Sequence, residues 1–165
     1  MLPALYLRRQ LRPWSVPPSL PTFFGRATAA FAEHEQLEAV LRELRALTTG
    51  SAPPATRDPA GTTALLQRLR AALSSHFRAE ETDGYFGTLA GDNPALLPTI
   101  AQLRGEHTQM LESVDALIVL ASDPEQAREL ESAVAVLIGR FQAHEHTESE
   151  LVREYLLRAS EMDAR

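Results

Sequence analysis

The chain of 165 residues contains no cysteine and no lysine. Without cysteine it has no disulfide, no thiolate nucleophile, and no zinc or iron–sulfur site with sulfur ligands. Without lysine it has no side chain for Schiff-base chemistry. Any metal ion would therefore have to be bound by histidine nitrogens and carboxylate oxygens.

Long apolar runs and clustered positive charge are also missing. No stretch approaches the roughly 20 apolar residues of a membrane-spanning helix. The net charge of −6 and the lack of a basic cluster argue against a nucleic-acid partner. A short apolar run precedes the first arginines, the reverse of the order in a secretory signal. We therefore expect a cytoplasmic protein with neither a nucleic-acid nor a membrane partner, and the sequence indicates no particular protein partner.

Aromatic residues make up only 6% of the chain, while leucine and alanine are frequent. This composition favours helices, and 44% apolar with 23% charged residues is typical of a single globular domain. Residues 1–21 carry five prolines and little periodicity. They predict an extended arm, with Trp14 packed on the body, or alternatively a disordered tail.

Residues 22–160 contain four segments with the 3.6-residue apolar period of amphipathic helices. The predicted helices cover about 22–50, 62–84, 94–121 and 124–160, and the Gly-rich stretch 82–94 is expected to break the chain. Thr22, then Thr62 or Thr63, are the expected N-caps of the first two helices. The predicted fold class is all-α: an antiparallel up-down four-helix bundle with an N-terminal Pro-rich arm.

Six polar residues interrupt the apolar stripes of these helices, and four of them are histidines, one per helix. They are His34, His76, Glu80, His107, His144 and Glu148. A histidine or glutamate in a bundle core loses its solvation unless something pairs with it. Glu80 and Glu148 each follow a histidine by four residues, which places both members of each pair on one helix face.

The positions of the turns predict that the four histidines lie at one level. Antiparallel neighbours meet at the same level when the turn lies midway between them, and the midpoints fall at 55, between 91 and 92, and between 125 and 126. The first two lie inside the predicted breaks, and the third lies just past Pro124. Four imidazoles and two carboxylates in one layer predict a site for two first-row transition ions, with iron favoured over manganese and zinc.

The sequences "SSHFRAEE" around His76 and Glu80, "LRGEHTQML" around His107 and "FQAHEHTESEL" around His144 resemble those of bacterial hemerythrin-like, or HHE cation-binding, proteins. The resemblance covers about residues 25–155. It implies a four-helix bundle around a non-haem di-iron centre that binds dioxygen or related molecules, or senses oxygen, nitric oxide, redox state or iron. By position, it implies that His34 and His76 ligate one iron, that His107 and His144 ligate the other, and that Glu80 bridges them.

Two positions depart from the family pattern. Leu103 stands where a further histidine is expected, one turn before His107, and Ser149 stands where a bridging acid is expected. Glu148 is predicted to substitute for that acid. The resemblance then implies open coordination positions, which favour redox reactivity, sensing or weaker metal retention over reversible oxygen carriage.

Two other functions are compatible with the sequence. One is a metal-free bundle with a His–Glu core network, acting as a regulatory or interaction module. The other is a di-iron oxidase or peroxidase, which only the open coordination positions would support, so we assign no catalytic residue.

In the stretch 143–150 we further expect His146 and Glu150 on the surface, and Glu145 either solvated or at most in contact with a ligand.

Overall fold

The computed structural model of the protein describes residues 20–51, 58–82 and 85–162, with side chains described between residues 34 and 158. Four long helices and one short helix make up this part of the chain, and it contains no strand. The helices are α1 (Leu20–Thr48), α2 (Pro59–Glu81), α3 (Tyr85–Asp92), α4 (Leu97–Leu120) and α5 (Ala127–Met162). Single 3₁₀ turns, Pro94–Leu96 and Pro124–Gln126, precede α4 and α5. None of the described helices combines the length and apolarity needed to cross a bilayer.

The four long helices form an antiparallel bundle. Each packs against the next long helix in the chain, and α5 closes the bundle against α1. Two surface ion pairs show the register of the helices. Arg68 Nη1 of α2 lies 2.8 Å from Glu43 Oε2 of α1, and Arg70 Nε of α2 lies 2.5 Å from Asp115 Oδ1 of α4. The predicted all-α, up-down four-helix bundle is confirmed.

The ends of α1 and α2 follow from local capping chemistry. Gly50 adopts the left-handed conformation, with φ of 68°, just after the end of α1, as expected. The predicted start of α2 at Thr62 or Thr63 was wrong, because Asp58 is the N-cap and accepts a hydrogen bond from the Gly61 amide at 2.6 Å. Pro59 then occupies the first turn, where its missing N–H costs nothing.

Most of the predicted arm, residues 1–21, lies outside the described residues, and so does Trp14. Leu20 and Pro21 already belong to α1, so the first helix begins two residues before the expected cap at Thr22.

The stretch 82–94 is not the simple break that its glycines suggested, because it contains α3. Phe86 and Leu89 are fully buried and Tyr85 nearly so. Each such burial contributes roughly 2 kcal/mol, whereas each glycine within the helix costs about 1 kcal/mol. The apolar contacts therefore outweigh the glycines. The Tyr155 hydroxyl donates to Asp92 Oδ2 at 2.6 Å and ties the end of α3 to α5.

The core consists of two apolar clusters separated along the bundle axis. The larger cluster joins the second half of α1 to residues 65–77 of α2, 110–117 of α4 and 134–141 of α5, and it includes Ala121 just after α4. The smaller joins α3 to the start of α4 and to Leu151 and Tyr155 of α5. Between them lies a band of buried polar side chains, so the bundle surrounds a polar site with apolar packing on both sides.

Candidate metal centre

The six predicted site residues lie together in this polar band. His76, Glu80, His107, His144 and Glu148 are all buried, at 8% exposure or less. The sixth residue, His34, lies at the edge of the band with 29% of its side chain exposed. The turn positions predicted that the four histidines lie at one level along the bundle, and the structure brings all six side chains into one region.

His107, His144 and Glu80 form what we call the buried half of the centre. His107 Nε2 lies 3.1 Å from His144 Nε2 and 3.2 Å from Glu80 Oε2. On the far side of the two rings, His107 Nδ1 lies 2.5 Å from Glu81 Oε1, and His144 Nδ1 lies 2.9 Å from Glu106 Oε2. In the neutral tautomer with its proton on Nδ1, each ring donates to its carboxylate and presents its Nε2 lone pair to the centre. Three electron-pair donors therefore converge, which is the arrangement that binds a cation.

The distances in the buried half suit a transition ion. Two nitrogen ligands about 2.1 Å from one ion, at about a right angle, would lie roughly 3 Å apart. The observed separation of the two Nε2 atoms is 3.1 Å. The residues present therefore fit a metal ion bound by imidazole and carboxylate.

His34, His76 and Glu145 form the exposed half of the centre. The Glu145 carboxylate lies between the two rings, with Oε2 at 3.5 Å from His34 Nδ1 and Oε1 at 3.4 Å from His76 Nε2. One ligand atom from each residue lies within 4.8 Å of the others. Glu145 is 25% exposed, so this half faces solvent on one side.

Glu80 connects the two halves through its two oxygens. Oε1 lies 2.9 Å from His76 Nε2, while Oε2 faces His107. Among the described residues, neither oxygen of Glu80 and neither ring nitrogen of His76 has a hydrogen bond of acceptable geometry. Buried polar atoms in this condition are costly, and bound cations would satisfy the two oxygens of Glu80 and His76 Nε2. Glu148 lies beside Glu80 and His76 in a third such group of ligand atoms.

Neighbouring histidines and carboxylates of the centre shift one another's pKa values. Burial acts to lower the pKa of His76, but Glu145 and Glu80 outweigh it and raise this pKa to about 10. Burial acts to raise the pKa of Glu80, but His107 and His76 outweigh it and lower this pKa to about 2. Burial, with the nearby charge of Glu80, raises the pKa of Glu148 well above its usual value. At neutral pH His76 thus holds a proton that a cation bound at its ring would displace, while the raised pKa of Glu148 favours its protonated form.

Aromatic rings fix the orientation of His107. Phe77 stacks on one face with ring centroids 3.9 Å apart and planes 6° apart. Phe86 of α3 stacks at 6.0 Å and 10°. Phe141 lies 6.5 Å from His34 and 6.3 Å from His76. Apolar rings around the imidazoles limit the access of water to the buried half.

The family model of the hemerythrin HHE cation-binding domain matches residues 27–157. The chain belongs to this family. No curated protein and no solved structure matches the chain in the corresponding comparisons. Family membership assigns cation binding to the bundle, and the groups of histidine and glutamate side chains provide a place for it.

This HHE domain has no nitrogen or acidic ligand at two positions where the family pattern led us to expect one. Leu103 is fully buried and packs in the smaller apolar cluster. Ser149 is half-buried and belongs to none of the three groups of ligand atoms. The buried Glu148, one residue earlier, is the carboxylate of α5 that lies beside Glu80.

The structure also describes the residues of α5 that were expected outside its apolar stripe. His146 and Glu150 are exposed, as expected. Glu145 was expected to be solvated or at most in contact with a ligand, and its carboxylate lies between His34 and His76, in a group of side chains that could hold a metal ion. The reason is geometric, since α5 contacts both α4 and α1. His144 faces His107 of α4, and the next residue, about 100° further around the helix, faces α1.

Three carboxylates that the sequence analysis did not place among the candidate site residues contact the histidines of the HHE domain: Glu81, Glu106 and Glu145. Each one follows or precedes a core residue directly in the sequence and serves a histidine of a neighbouring helix. Glu81 of α2 contacts His107 of α4, and Glu106 of α4 contacts His144 of α5. An acid directly adjacent to a buried candidate ligand is thus a sequence signal for a contact across the helix interface.

Proposed function

We propose that the protein is a non-haem di-iron binding protein that binds or senses dioxygen, nitric oxide, redox state or iron. The buried half would hold one ion and the exposed half the other, with Glu80 shared and Glu148 beside it. The observation that supports this most strongly is the convergence of His107 Nε2, His144 Nε2 and Glu80 Oε2 within about hydrogen-bond distance.

Iron is the proposed metal because every candidate ligand is an imidazole nitrogen or a carboxylate oxygen. This mixed set suits iron, and manganese and zinc rank behind it. When bound in such a site, iron supplies a redox couple and coordination positions for a small diatomic ligand. Leu103 and Ser149 reduce the number of ligands, which favours redox reactivity or sensing over reversible carriage.

The side chains around the ligands have separate tasks in this proposal. Glu81 and Glu106 hold the Nδ1 protons and so keep the Nε2 lone pairs directed inward. Phe77 and Phe86 hold the His107 ring and limit water. His34 and Glu145, both partly exposed, provide the side from which an ion or small ligand would enter.

Anaerobic loading with Fe(II), followed by metal analysis, tests the proposal. We expect roughly two irons per chain and a ligand-to-iron charge-transfer absorption after exposure to air. Purified protein that takes up no iron under these conditions would contradict the proposal.

One observation favours a second candidate, a metal-free bundle acting as an interaction module. The metal-free centre can neutralise itself internally, because His76 and Glu80 have opposite charges 2.9 Å apart. In that case metal content stays at zero, and Glu80→Gln changes only stability and its pH dependence. An oxidase or peroxidase activity has no further support, so we assign no catalytic residue.

The division of the chain into a Pro-rich arm (1–21) and a bundle domain (22–160) stays a prediction, as does a cytoplasmic location. The di-iron proposal depends on neither of them.

A further inference from the structure

The histidines of the two halves differ in whether a carboxylate accepts a hydrogen bond from the ring nitrogen that faces away from the centre. In the buried half, each histidine has an outer carboxylate on Nδ1: Glu81 for His107 and Glu106 for His144. In the exposed half, His76 Nδ1 has no hydrogen-bond partner among the described residues. Among the side chains that the structure describes, the carboxylates closest to the ring nitrogens of His34 lie at 3.5 and 3.9 Å, beyond hydrogen-bond distance.

We propose that the two halves of the centre bind their cations with unequal affinity, the buried half holding its ion tightly and the exposed half exchanging it with solvent. This inference rests on the proposed function, because it assumes that both halves bind a cation. It makes the positioning of His107 by Glu81 and of His144 by Glu106 the cause of the tight binding, and it makes Glu145 the ligand of the exchangeable ion.

Pre-organisation supports the tight binding of the buried half. Glu106 is itself held by Gln102, whose Nε2 donates to Oε1 at 2.8 Å while Oε2 accepts from His144. His107 is held by Glu81 on one edge and by stacked phenylalanines on its faces. Ligands whose orientation is already fixed lose less freedom on binding, and outer carboxylates of this kind typically improve metal affinity about 10- to 100-fold.

Differences in exposure support exchange at the other half. The side chains of His107 and His144 are 3% and 1% exposed, whereas those of His34 and Glu145 are 29% and 25% exposed. A ligand pair at the surface can move into solvent without opening the apolar clusters on either side. The ion between His34, His76 and Glu145 therefore has a short path to water, and the ion in the buried half does not.

Co(II) titration of the full, metal-free chain tests the inference, with binding followed by the visible absorption of Co(II) and by metal analysis after brief chelation. We expect two binding steps that differ at least tenfold in affinity, in line with the effect of outer carboxylates. Chelation should remove the weaker ion first. Unfolding curves of the metal-free proteins show whether each variant is folded.

Two variants show which half of the centre gives each of the two Co(II) binding steps. Glu106→Gln should weaken the tight step about 10- to 100-fold and leave the weak step unchanged. The glutamine oxygen can still accept from Nδ1, so the loss should be smaller than in Glu106→Ala. Glu145→Gln should weaken only the weak step. The exposed residues Glu112 on α4 and Glu150 on α5 provide matched Glu→Gln controls.

The outcomes separate this inference from the proposed function. Two Co(II) ions bound with equal affinity, or a Glu145→Gln variant that weakens the tight step, would overturn the inference and leave the di-metal site standing. A Glu106→Gln variant with an unchanged tight step would also overturn it. Wild-type protein that binds no Co(II) would contradict the proposed function itself.

Discussion

Glu80 Oε2 lies 3.2 Å from His107 Nε2 across the interface of α2 and α4, and both side chains are almost completely buried. The other oxygen of Glu80 points to His76, on its own helix. Among the described residues, only Glu80 belongs both to the group with His107 and His144 and to a group that contains His76. Its position makes it the link between the two halves of the proposed di-iron centre.

Glu80→Gln should therefore affect both proposed ions. Removal of the shared negative charge should lower the iron content of loaded protein from roughly two per chain to below one. Metal analysis after anaerobic loading measures this, with the exposed Glu112→Gln as control. An iron content equal to that of the wild type would contradict the shared role of Glu80.

Glu148→Gln should stabilise the metal-free protein, by an amount that increases with pH. The folded-state pKa of Glu148 is raised well above its usual value by burial and by Glu80. As pH rises above the unfolded pKa, the unfolded chain ionises while the folded protein keeps the proton, so the wild type loses stability. Glutamine removes this loss. The difference in free energy of unfolding should grow by at most about 1.4 kcal/mol per pH unit.

Urea unfolding at pH 5, 6 and 7 in the presence of a chelator measures this difference. In iron-loaded protein the order should reverse, because a ligand has been removed. The exposed Glu150→Gln is the matched control on the same helix. A difference that stays constant between pH 5 and pH 7 would show that Glu148 is ionised in the folded, metal-free protein.

Phe86→Ala should be among the most destabilising substitutions in the bundle. Phe86 is fully buried in the smaller apolar cluster and stacks on His107. Removal of a buried phenylalanine side chain costs about 3–5 kcal/mol. Phe86→Leu keeps most of the volume and should cost less. Equilibrium urea unfolding measures both values, and a loss below about 1 kcal/mol in the alanine variant would show that α3 does not support the centre.

The fold could be predicted from the sequence because helical periodicity and turn positions are local signals. On α4, the residues that repeat at helical spacing are all buried: Ile100, Leu103, His107, Met110, Val114 and Leu117. The α3 helix was missed because the glycines around it are strong local signals, whereas the contacts of Phe86 that stabilise it come from other helices.

The candidate site was predictable in part, for a related reason. His76, Glu80, His107, His144 and Glu148 stand on apolar stripes, and a stripe marks the core whatever the exact rotation of the helix. Contacts at the flanks of a stripe depend on that rotation. Glu81, Glu106 and Glu145 lie about 100° from their core neighbours, so whether they meet solvent or another helix is decided by packing.

Metal content of a matched pair of histidine variants tests the central claim most directly. His144 and His146 lie on the same helix two residues apart, but His144 is buried beside His107 while His146 is exposed. After anaerobic Fe(II) loading and desalting, we expect roughly two irons per chain in the wild type and in His146→Ala, and a loss of about one or more in His144→Ala. Equal iron content in the two variants, or none in the wild type, would contradict the di-iron centre.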